Sequence, residues 1–160
     1  MTHDEVTFED GSRGYRDVLH LPGAVAILAF DENGRILMVS QYRHAVEDEV
    51  LELPAGMLEK GEDPLVAAKR ELQEETGYAC GKIVHMTDFY TSPGVVKETL
   101  HLYLAGDLHY VHQNLDDDEF LRVRTVSRQE FEQMIFDNRI KDAKTIIAYL
   151  FWKNYLKENG

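Results

Sequence analysis

Apolar and polar positions in the N-terminal part of the chain predict short strands separated by turns. The Asp10-Gly11 pair predicts a first hairpin with a second strand over about 15–20, because glycine supplies the left-handed turn conformation. Residues 24–30 are continuously apolar, which is typical of a strand buried on both faces, and Asn33-Gly34 predicts a turn into an apolar strand over 35–43. We expect these last two strands to pair as a central hairpin in a covered sheet.

A helical period replaces this pattern between residues 63 and 76. Asp63 is a suitable N-cap, Pro64 suits the first helical position, and Gly77 can end the helix. The apolar side chains at helical spacing predict one buried side, which consists of Leu65, Ala68 and Leu72. We therefore expect a helix between two groups of strands.

The remaining residues alternate between strand and helix patterns. Strands are expected at three places, near 82–90, 99–105 and 120–126. Ser127 and Glu130 form a capping box that predicts a second helix to about Phe136. Asp142 begins a third, amphipathic helix, whose apolar positions include Ile146, Tyr149, Leu150 and Trp152.

Strands mixed with three helices indicate an α/β sandwich. The sequence contains no internal repeat, linker or low-complexity segment, and 160 residues are the usual size of one domain. We therefore expect a single α/β domain over residues 22–160, preceded by a short β-hairpin over residues 1–21.

Composition and charge exclude several classes of function. The chain has 29 acidic and 17 basic side chains, a formal net charge of −12, which disfavours binding to nucleic acid and to anionic membranes. Cys80 is the one cysteine, so neither an internal disulfide nor a cysteine-based zinc site can form within the chain. No apolar run approaches the roughly 20 residues that span a bilayer. We expect a cytoplasmic protein without a nucleic-acid or membrane partner.

Three carboxylates gather on one side of the predicted first helix. At about 100° per residue, Glu71, Glu74 and Glu75 share one arc beside the buried side. Like charges at this spacing destabilise a helix by about 0.2–0.5 kcal/mol per pair, so a cation should offset them. Hard divalent ions, Mg²⁺ foremost, prefer such oxygen ligands. The alternative is a solvated acidic face tempered by Lys69 and Arg70.

The residues around this helix follow a longer pattern. It has the form G-x5-E-x7-R-E-U-x-E-E-x-G-U, where U is a bulky apolar residue, and it is matched at Gly56, Glu62, Arg70, Glu71, Leu72, Glu74, Glu75 and Gly77. Tyr78 at the last position is a mild departure. This segment resembles the Nudix box. The resemblance implies a Nudix-like α/β/α sandwich with a mixed β-sheet, and a hydrolase that uses Mg²⁺ or Mn²⁺ to cleave nucleoside diphosphates linked to another moiety.

The same resemblance implies roles for the matched residues. Glu71 and Glu75 would be the principal metal ligands, and Glu74 would be a further ligand or an orienting partner. The backbone carbonyl of Ala55 would complete the cluster, and Arg70 would hold the carboxylates in place. The first glutamate of the box would have a supporting role. Such metal ions polarise phosphoryl oxygens and activate a water, so no covalent intermediate is required.

Outside the box, most of the chain resembles the ADP-ribose pyrophosphatase group. The segments that carry this resemblance are Gln41-Tyr42-Arg43, Glu52 to Gly56, and Ser92-Pro93-Gly94, with Pro93 lying 16 residues after Gly77. Arg43 is then expected to contact the diphosphate, since a guanidinium matches phosphate oxygens, and the alternative is a surface arginine at a strand end. Glu52 would bind a sugar hydroxyl or pair with an arginine. Gly56, Pro93 and Gly94 are also expected to bind substrate, and the group implies a homodimer.

A second acidic segment, residues 116–119, precedes the strand expected at residue 120. Four adjacent acids usually form a solvated loop. The resemblance implies a different role, because relatives carry a carboxylate in the corresponding loop as a general base or extra metal ligand. We expect Glu119 in that role, since it has the longest of the four side chains, with Asp117 second.

These observations lead to one expected function and several alternatives. We expect a metal-activated water to hydrolyse a small-molecule nucleoside diphosphate, ADP-ribose, to AMP and ribose 5-phosphate. The nearest alternative changes the substrate to GDP-mannose, another nucleotide sugar or a dinucleotide. A different class would be a sensor that binds ADP-ribose without cleaving it, and a third would be an acidic scaffold with no ligand.

Overall fold

The structure, a computed structural model, describes residues 1–115 and 120–159, with ten strands and three helices in these ranges. The strands are β1 (Thr2–Thr7), β2 (Arg13–His20), β3 (Ala24–Ala29), β4 (Ile36–Arg43), β5 (Asp48–Glu52), β6 (Ala55–Met57), β7 (Tyr78–Tyr90), β8 (Val96–Lys97), β9 (Thr99–Tyr110) and β10 (Leu121–Val126). The helices are α1 (Pro64–Thr76), α2 (Arg128–Phe136) and α3 (Ala143–Asn159). All predicted helices and strands are present. The short strands β5, β6 and β8 were not predicted.

Strand β3 lies inside a mixed four-stranded sheet. It pairs in parallel with β9 and antiparallel with β6, and β9 pairs antiparallel with β7 at the edge. The predicted mixed sheet is therefore confirmed.

The predicted pairing of β3 with β4 as a central hairpin is wrong. β4 lies in another sheet, between β10 and β5, and an isolated bridge between Phe30 and Ile36 joins it to the end of β3. Strand β3 and the first half of β4 are buried, so each strand can be the central strand of its own sheet. The Asn33-Gly34 turn thus carries the chain from one sheet to the other.

Helices cover the strands on both sides. Alternate residues of β3 point in opposite directions, as the period of two requires. Ala26 and Leu28 pack in one core with side chains of α2 and α3, and Val25 and Ile27 pack in the other with side chains of α1. This arrangement confirms the predicted α/β/α sandwich.

The N-terminal hairpin is present as predicted. β1 and β2 pair antiparallel, and the turn between them contains Gly11 at a φ of 82°. β2 also pairs in parallel with β8, through Leu19 and Val96. The division into an extension over 1–21 and a domain over 22–160 stays a prediction. Within the described ranges, no helix combines the length and apolar character needed to cross a membrane.

Candidate active site

Local signals at both ends position helix α1. The Asp63 carboxylate accepts hydrogen bonds from the backbone N–H groups of Leu65 and Val66, at 2.9 and 3.3 Å, and Pro64 begins the helix. Gly77 ends it in the left-handed conformation at a φ of 79°. These contacts confirm the predicted caps, and they determine which residues of α1 share a face.

The buried face of α1 includes two of the predicted metal ligands. Glu71 is 8% exposed and Glu75 is 2% exposed. Leu65, which was expected on the buried side, is 38% exposed. The centre of the buried arc is therefore rotated towards the glutamates, so their side chains lie within it rather than beside it.

Strand β6 passes so close to α1 that one position has no room for a side chain. A Cβ atom on Gly56 would stand 2.1 to 2.2 Å from the Cδ and both oxygens of the Glu71 carboxylate. At the adjacent position, the backbone N–H of Ala55 donates to Oε2 of Glu75 at 2.9 Å. Four of the predicted site residues therefore meet where β6 crosses α1.

Arg70 connects the carboxylates of the motif. Its guanidinium donates to Glu62 at 2.8 and 2.9 Å, to Glu71 at 2.7 Å and to Glu74 at 2.9 Å. The hydrogen bonds from Arg70 lower the pKa of the Glu62 carboxyl to about 2, and the bond to Glu62 is the main reason that the pKa of Arg70 is raised. Arg70 thus contacts three of the four motif glutamates, as its predicted holding role requires.

The cluster carries an excess of negative charge that a cation would balance. Glu62, Glu71 and Glu74 share the single guanidinium of Arg70, so three carboxylates meet one positive charge in this group. Buried charges are costly unless they are paired or coordinate a metal. The donors are oxygen atoms, which suit hard divalent cations such as Mg²⁺, and the absence of a side chain at Gly56 leaves room for the Glu71 carboxylate itself. Glu71, Glu74 and Glu75 are therefore residues that could hold such an ion.

A second charged network lies where β4 and β5 meet the start of α3. The Glu52 carboxylate is buried, accepts a hydrogen bond from Arg43 Nε at 2.7 Å and pairs with Lys144. Burial by itself would raise the pKa of Glu52, but the hydrogen bond from Arg43 and the charge of Lys144 lower it overall. Of the two alternatives for Glu52, the structure shows the ion pair with an arginine. A sugar contact by Glu52 stays a prediction.

Lys144 is a candidate site residue that the sequence did not reveal. It lies 92 residues after its partner Glu52. It also pairs at 3.0 Å with Asp142, whose carboxylate caps α3 by accepting from the backbone N–H of Thr145 at 3.1 Å. The cap at Asp142 was visible in the sequence as a helix start, but it carried no signal about which strand end the helix would meet.

One cavity collects most of these side chains. It has a volume of about 730 Å³, and the predicted residues that line it are Arg43, Ala55, Gly56, Arg70, Glu71, Glu74 and Glu75. Lys144 lines it as well. Pro93 and Gly94 lie instead in a neighbouring groove of about 570 Å³, which shares Tyr90 and Glu98 with the cavity. Substrate contacts by Pro93 and Gly94 stay predictions.

The two predicted candidates for a general base, Glu119 and Asp117, lie outside the described residues. The chain that leads to them is attached to α1, because the backbone N–H of Asn114 donates to the carbonyl of Glu74 at 3.0 Å. Asn114 also lines the cavity. Asn114, three positions before Asp117 in the sequence, therefore lies beside the carboxylate cluster.

The arrangement suits an anionic ligand that is accompanied by a cation. The carboxylates of α1 supply oxygen donors for a divalent ion. Arg43 and Lys144 add positive charge to the same cavity, and a guanidinium matches the geometry of phosphate oxygens.

Comparison with known proteins adds family and fold relationships. A model of the NUDIX domain matches residues 20–149. The chain is 44% identical over 158 residues to the methanol dehydrogenase activator of Bacillus methanolicus, covering 96% of this chain and 85% of that protein. It is 41% identical over 157 residues to the ADP-ribose pyrophosphatase of Bacillus subtilis (strain 168), covering 97% and 84%. A crystal structure of an ADP compounds hydrolase is similar in fold, with a TM-score of 0.85 at 21% identity, covering 99% of this chain and 86% of that one.

Proposed function

The chain belongs to the Nudix family, and on that premise we propose that it hydrolyses the diphosphate bond of ADP-ribose to AMP and ribose 5-phosphate. Water adds to one phosphorus, the bond from that phosphorus to the bridging oxygen breaks, and two phosphomonoesters leave. The observation that carries this proposal is the carboxylate cluster of α1 in one cavity with Arg43 and Lys144. The name of the relative from Bacillus subtilis supports ADP-ribose as the substrate.

We assign the metal ligands to the carboxylates of α1. Glu71 and Glu75 are the principal ligands, Glu74 is a further ligand or orienting partner, and the backbone carbonyl of Ala55 completes the set. Mg²⁺ is the proposed ion, and Mn²⁺ is the alternative. When bound, such an ion polarises the phosphoryl oxygens and lowers the pKa of a bound water. The carboxylates that share one guanidinium and the oxygen-only donors support this assignment.

Arg70 and Gly56 are proposed to position the ligands, and a substrate contact by Gly56 stays a prediction. Arg70 bridges Glu71 and Glu74, and these bonds restrict the rotamers of both carboxylates. Gly56, which was predicted to bind substrate, leaves the space in which the Glu71 carboxylate lies. Both residues therefore preorganise the site before an ion or a substrate arrives.

Arg43 is proposed to bind the diphosphate. Its Nε donates to the buried Glu52, which also pairs with Lys144, so one edge of the guanidinium is anchored. Because Glu52 contacts Nε, the two terminal nitrogens of the guanidinium can donate to two phosphate oxygens. The groove beside the cavity, with Pro93 and Gly94, is proposed to contact a part of the substrate beyond the diphosphate.

The proposed general base is Glu119, with Asp117 as the alternative. Support comes from Asn114, which lines the cavity and is bonded to the backbone of Glu74. Replacement of the base should lower kcat by about 10²–10⁴-fold. Comparing kcat of Glu119→Gln and Asp117→Asn distinguishes the two, and normal rates for both variants would remove this segment from the mechanism.

The test of the function is a measurement of AMP and ribose 5-phosphate release from ADP-ribose with Mg²⁺. Glu75→Gln should lower kcat by orders of magnitude, whereas the matched control Glu32→Gln, an exposed acid outside the cavity, should leave it unchanged. A higher kcat/KM for GDP-mannose or a dinucleotide than for ADP-ribose would reassign the substrate, while the proposed hydrolysis of a diphosphate bond would stand. Binding of ADP-ribose without turnover would instead support the sensor. The absence of both binding and turnover would refute the proposal.

We also propose that the protein is a cytoplasmic homodimer. The single cysteine and the net charge of −12 support a reducing compartment and no binding to nucleic acid or anionic membranes. Exposed apolar side chains of the N-terminal hairpin and its neighbour, such as Tyr15, Leu19 and Val95, are available for subunit contacts. Light scattering coupled to size exclusion should give twice the mass of one chain, and a monomer would contradict the assignment.

A further inference from the structure

Three side chains with metal-binding chemistry meet on the sheet, away from the carboxylates of α1. His85 Nε2 lies 2.6 Å and His101 Nδ1 lies 2.7 Å from the same oxygen of Asp88. His85 and Asp88 belong to the edge strand β7, and His101 belongs to its neighbour β9. The three ligand atoms all lie within 4.8 Å of one another. None of these residues is assigned to the proposed metal site of α1, so metal binding by this cluster can be tested without substrate.

A β-bulge creates this arrangement. In a regular strand, residues three apart point to opposite faces of the sheet, so His85 and Asp88 would not meet. The register of β7 against β9 shifts between His85 and Thr87, so that His85 lies opposite Tyr103 and Asp88 lies opposite His101. Because Tyr103 and His101 share one face of β9, the bulge brings both residues of β7 to that face. Bulges of this kind redirect side chains and are found next to functional sites.

The cluster is held in place before any ion binds. The His85 ring packs edge-on against the Tyr103 ring, with the centroids 5.5 Å apart. Burial alone would raise the pKa of Asp88, but the hydrogen bonds from His85 and His101 lower it overall, so the carboxylate is ionised near neutral pH. An ionised carboxylate only accepts hydrogen bonds, so each of the two facing imidazole nitrogens carries a proton. A divalent cation bound by these two nitrogens would replace the protons that face Asp88, and each neutral imidazole would then carry its one proton on the other ring nitrogen.

The geometry is within reach of a tetrahedral ion. Ligand atoms about 2.0–2.1 Å from Zn²⁺ lie about 3.4 Å apart, whereas the present atoms lie up to 4.8 Å apart. The side chains of His85 and Asp88 are each 47% exposed and that of His101 is 19% exposed. Small rotations of the two exposed side chains can therefore close the difference, while His101 supplies a more fixed ligand.

We propose that His85, Asp88 and His101 form a binding site for a transition-metal ion of the Zn²⁺ class. Two imidazoles and one carboxylate are a donor set that zinc accepts with a water or substrate atom in the fourth position. This set differs from the oxygen-only donors of α1, which suit hard ions such as Mg²⁺. The ion would tie the edge strand β7 to β9 at the bulge. It would also lie next to the groove of Pro93 and Gly94, because His101 lines that groove.

The test is calorimetric titration of the full, tag-free chain with Zn²⁺ in saturating Mg²⁺, so that the carboxylate site is already occupied. We expect one equivalent of Zn²⁺ to bind and to raise the melting temperature. His85→Ala, Asp88→Asn and His101→Ala should each weaken this event at least about tenfold, as a lost ligand requires. The matched control His109→Ala, an exposed histidine on the same strand as His101, should bind Zn²⁺ like the parent.

A second measurement separates metal binding from a hydrogen-bonded triad. Co²⁺ in place of Zn²⁺ should give visible absorption bands that Asp88→Asn, a nearly isosteric change, removes. Circular dichroism without metal serves as the fold control for each variant. Equal Zn²⁺ binding by the parent and Asp88→Asn, or no Zn²⁺ binding by the parent under Mg²⁺ saturation, would overturn the proposal.

Discussion

Replacing Gly56 by alanine perturbs the site through one added atom. Gly56 has no positive φ, so its backbone accepts alanine without strain. The new Cβ would stand 2.1 to 2.2 Å from the atoms of the Glu71 carboxylate, whereas ordinary contacts begin at 3.4 Å. The carboxylate must therefore retreat by about 1.2 Å. It cannot do so without disturbing its bond to Arg70, at 2.7 Å.

The magnitude follows from the sensitivity of catalysis to geometry. A misplacement of about 1 Å in a reacting constellation can cost about 10²-fold in rate, which corresponds to about 2.7 kcal/mol of transition-state stabilisation. We therefore expect Gly56→Ala to lower kcat/KM for ADP-ribose about 100-fold. Because Glu71 is a proposed metal ligand, the concentration of Mg²⁺ that gives half-maximal activity should also rise.

The assay is the initial rate of AMP release over a series of Mg²⁺ and ADP-ribose concentrations. The matched control is Gly106→Ala on β9, where an added Cβ meets no atom within 4 Å and the φ is not positive. Both variants are first checked by thermal melting and circular dichroism, so that a loss of rate is not a loss of fold. Activity of Gly56→Ala within about twofold of the parent at all Mg²⁺ concentrations would refute the reasoning.

Three further substitutions test the two charged networks. Arg70→Lys should lower kcat at least about tenfold while the fold is kept, because a compact ammonium cannot bridge three carboxylates; an unchanged kcat would contradict the holding role. Glu52→Gln removes the buried carboxylate that Arg43 and Lys144 share, while Lys144 keeps its pair with Asp142, so urea unfolding should reveal a loss of about 1–3 kcal/mol and KM for ADP-ribose should rise. For Glu62, whose pKa is about 2 in the folded state against an ordinary 4.5, the stabilisation is complete above about pH 4.5 and is lost as the pH falls towards 2. Between about pH 5 and about pH 3, the free energy of unfolding should therefore fall less steeply with pH for Glu62→Gln than for the parent. Identical slopes for the two proteins would show that this ion pair is not the cause.

The family and the helices could be predicted from the sequence because their signals are local. The caps at Asp63 and Gly77 act on neighbouring backbone groups, and the spacing of Glu71 and Glu75 puts them on one face of any helix. The Nudix resemblance rested on this spacing, and the domain match over 20–149 confirms it. The fold class could be predicted for the same reason, since it follows from which segments are helices and which are strands.

Strand pairing could not be predicted in the same way. The turn at Gly34 was recognised correctly, but it joins two sheets instead of two paired strands. A strand that is apolar on both faces is compatible with several neighbours. The choice of β9 and β6 as partners of β3 depends on how the whole chain packs, which no short window of sequence contains.

What the sequence determined by itself is the chemistry within one element: a capped helix with its carboxylates in register, in a chain of −12 charge that belongs to one family. What only the tertiary structure decided is which elements meet. Lys144 reaches Glu52 across 92 residues, and the bulge on β7 brings His85 and Asp88 to one face. The physical reason is that backbone dihedral angles set contacts three or four residues apart, whereas contacts between elements depend on strand register and on the packing of distant side chains.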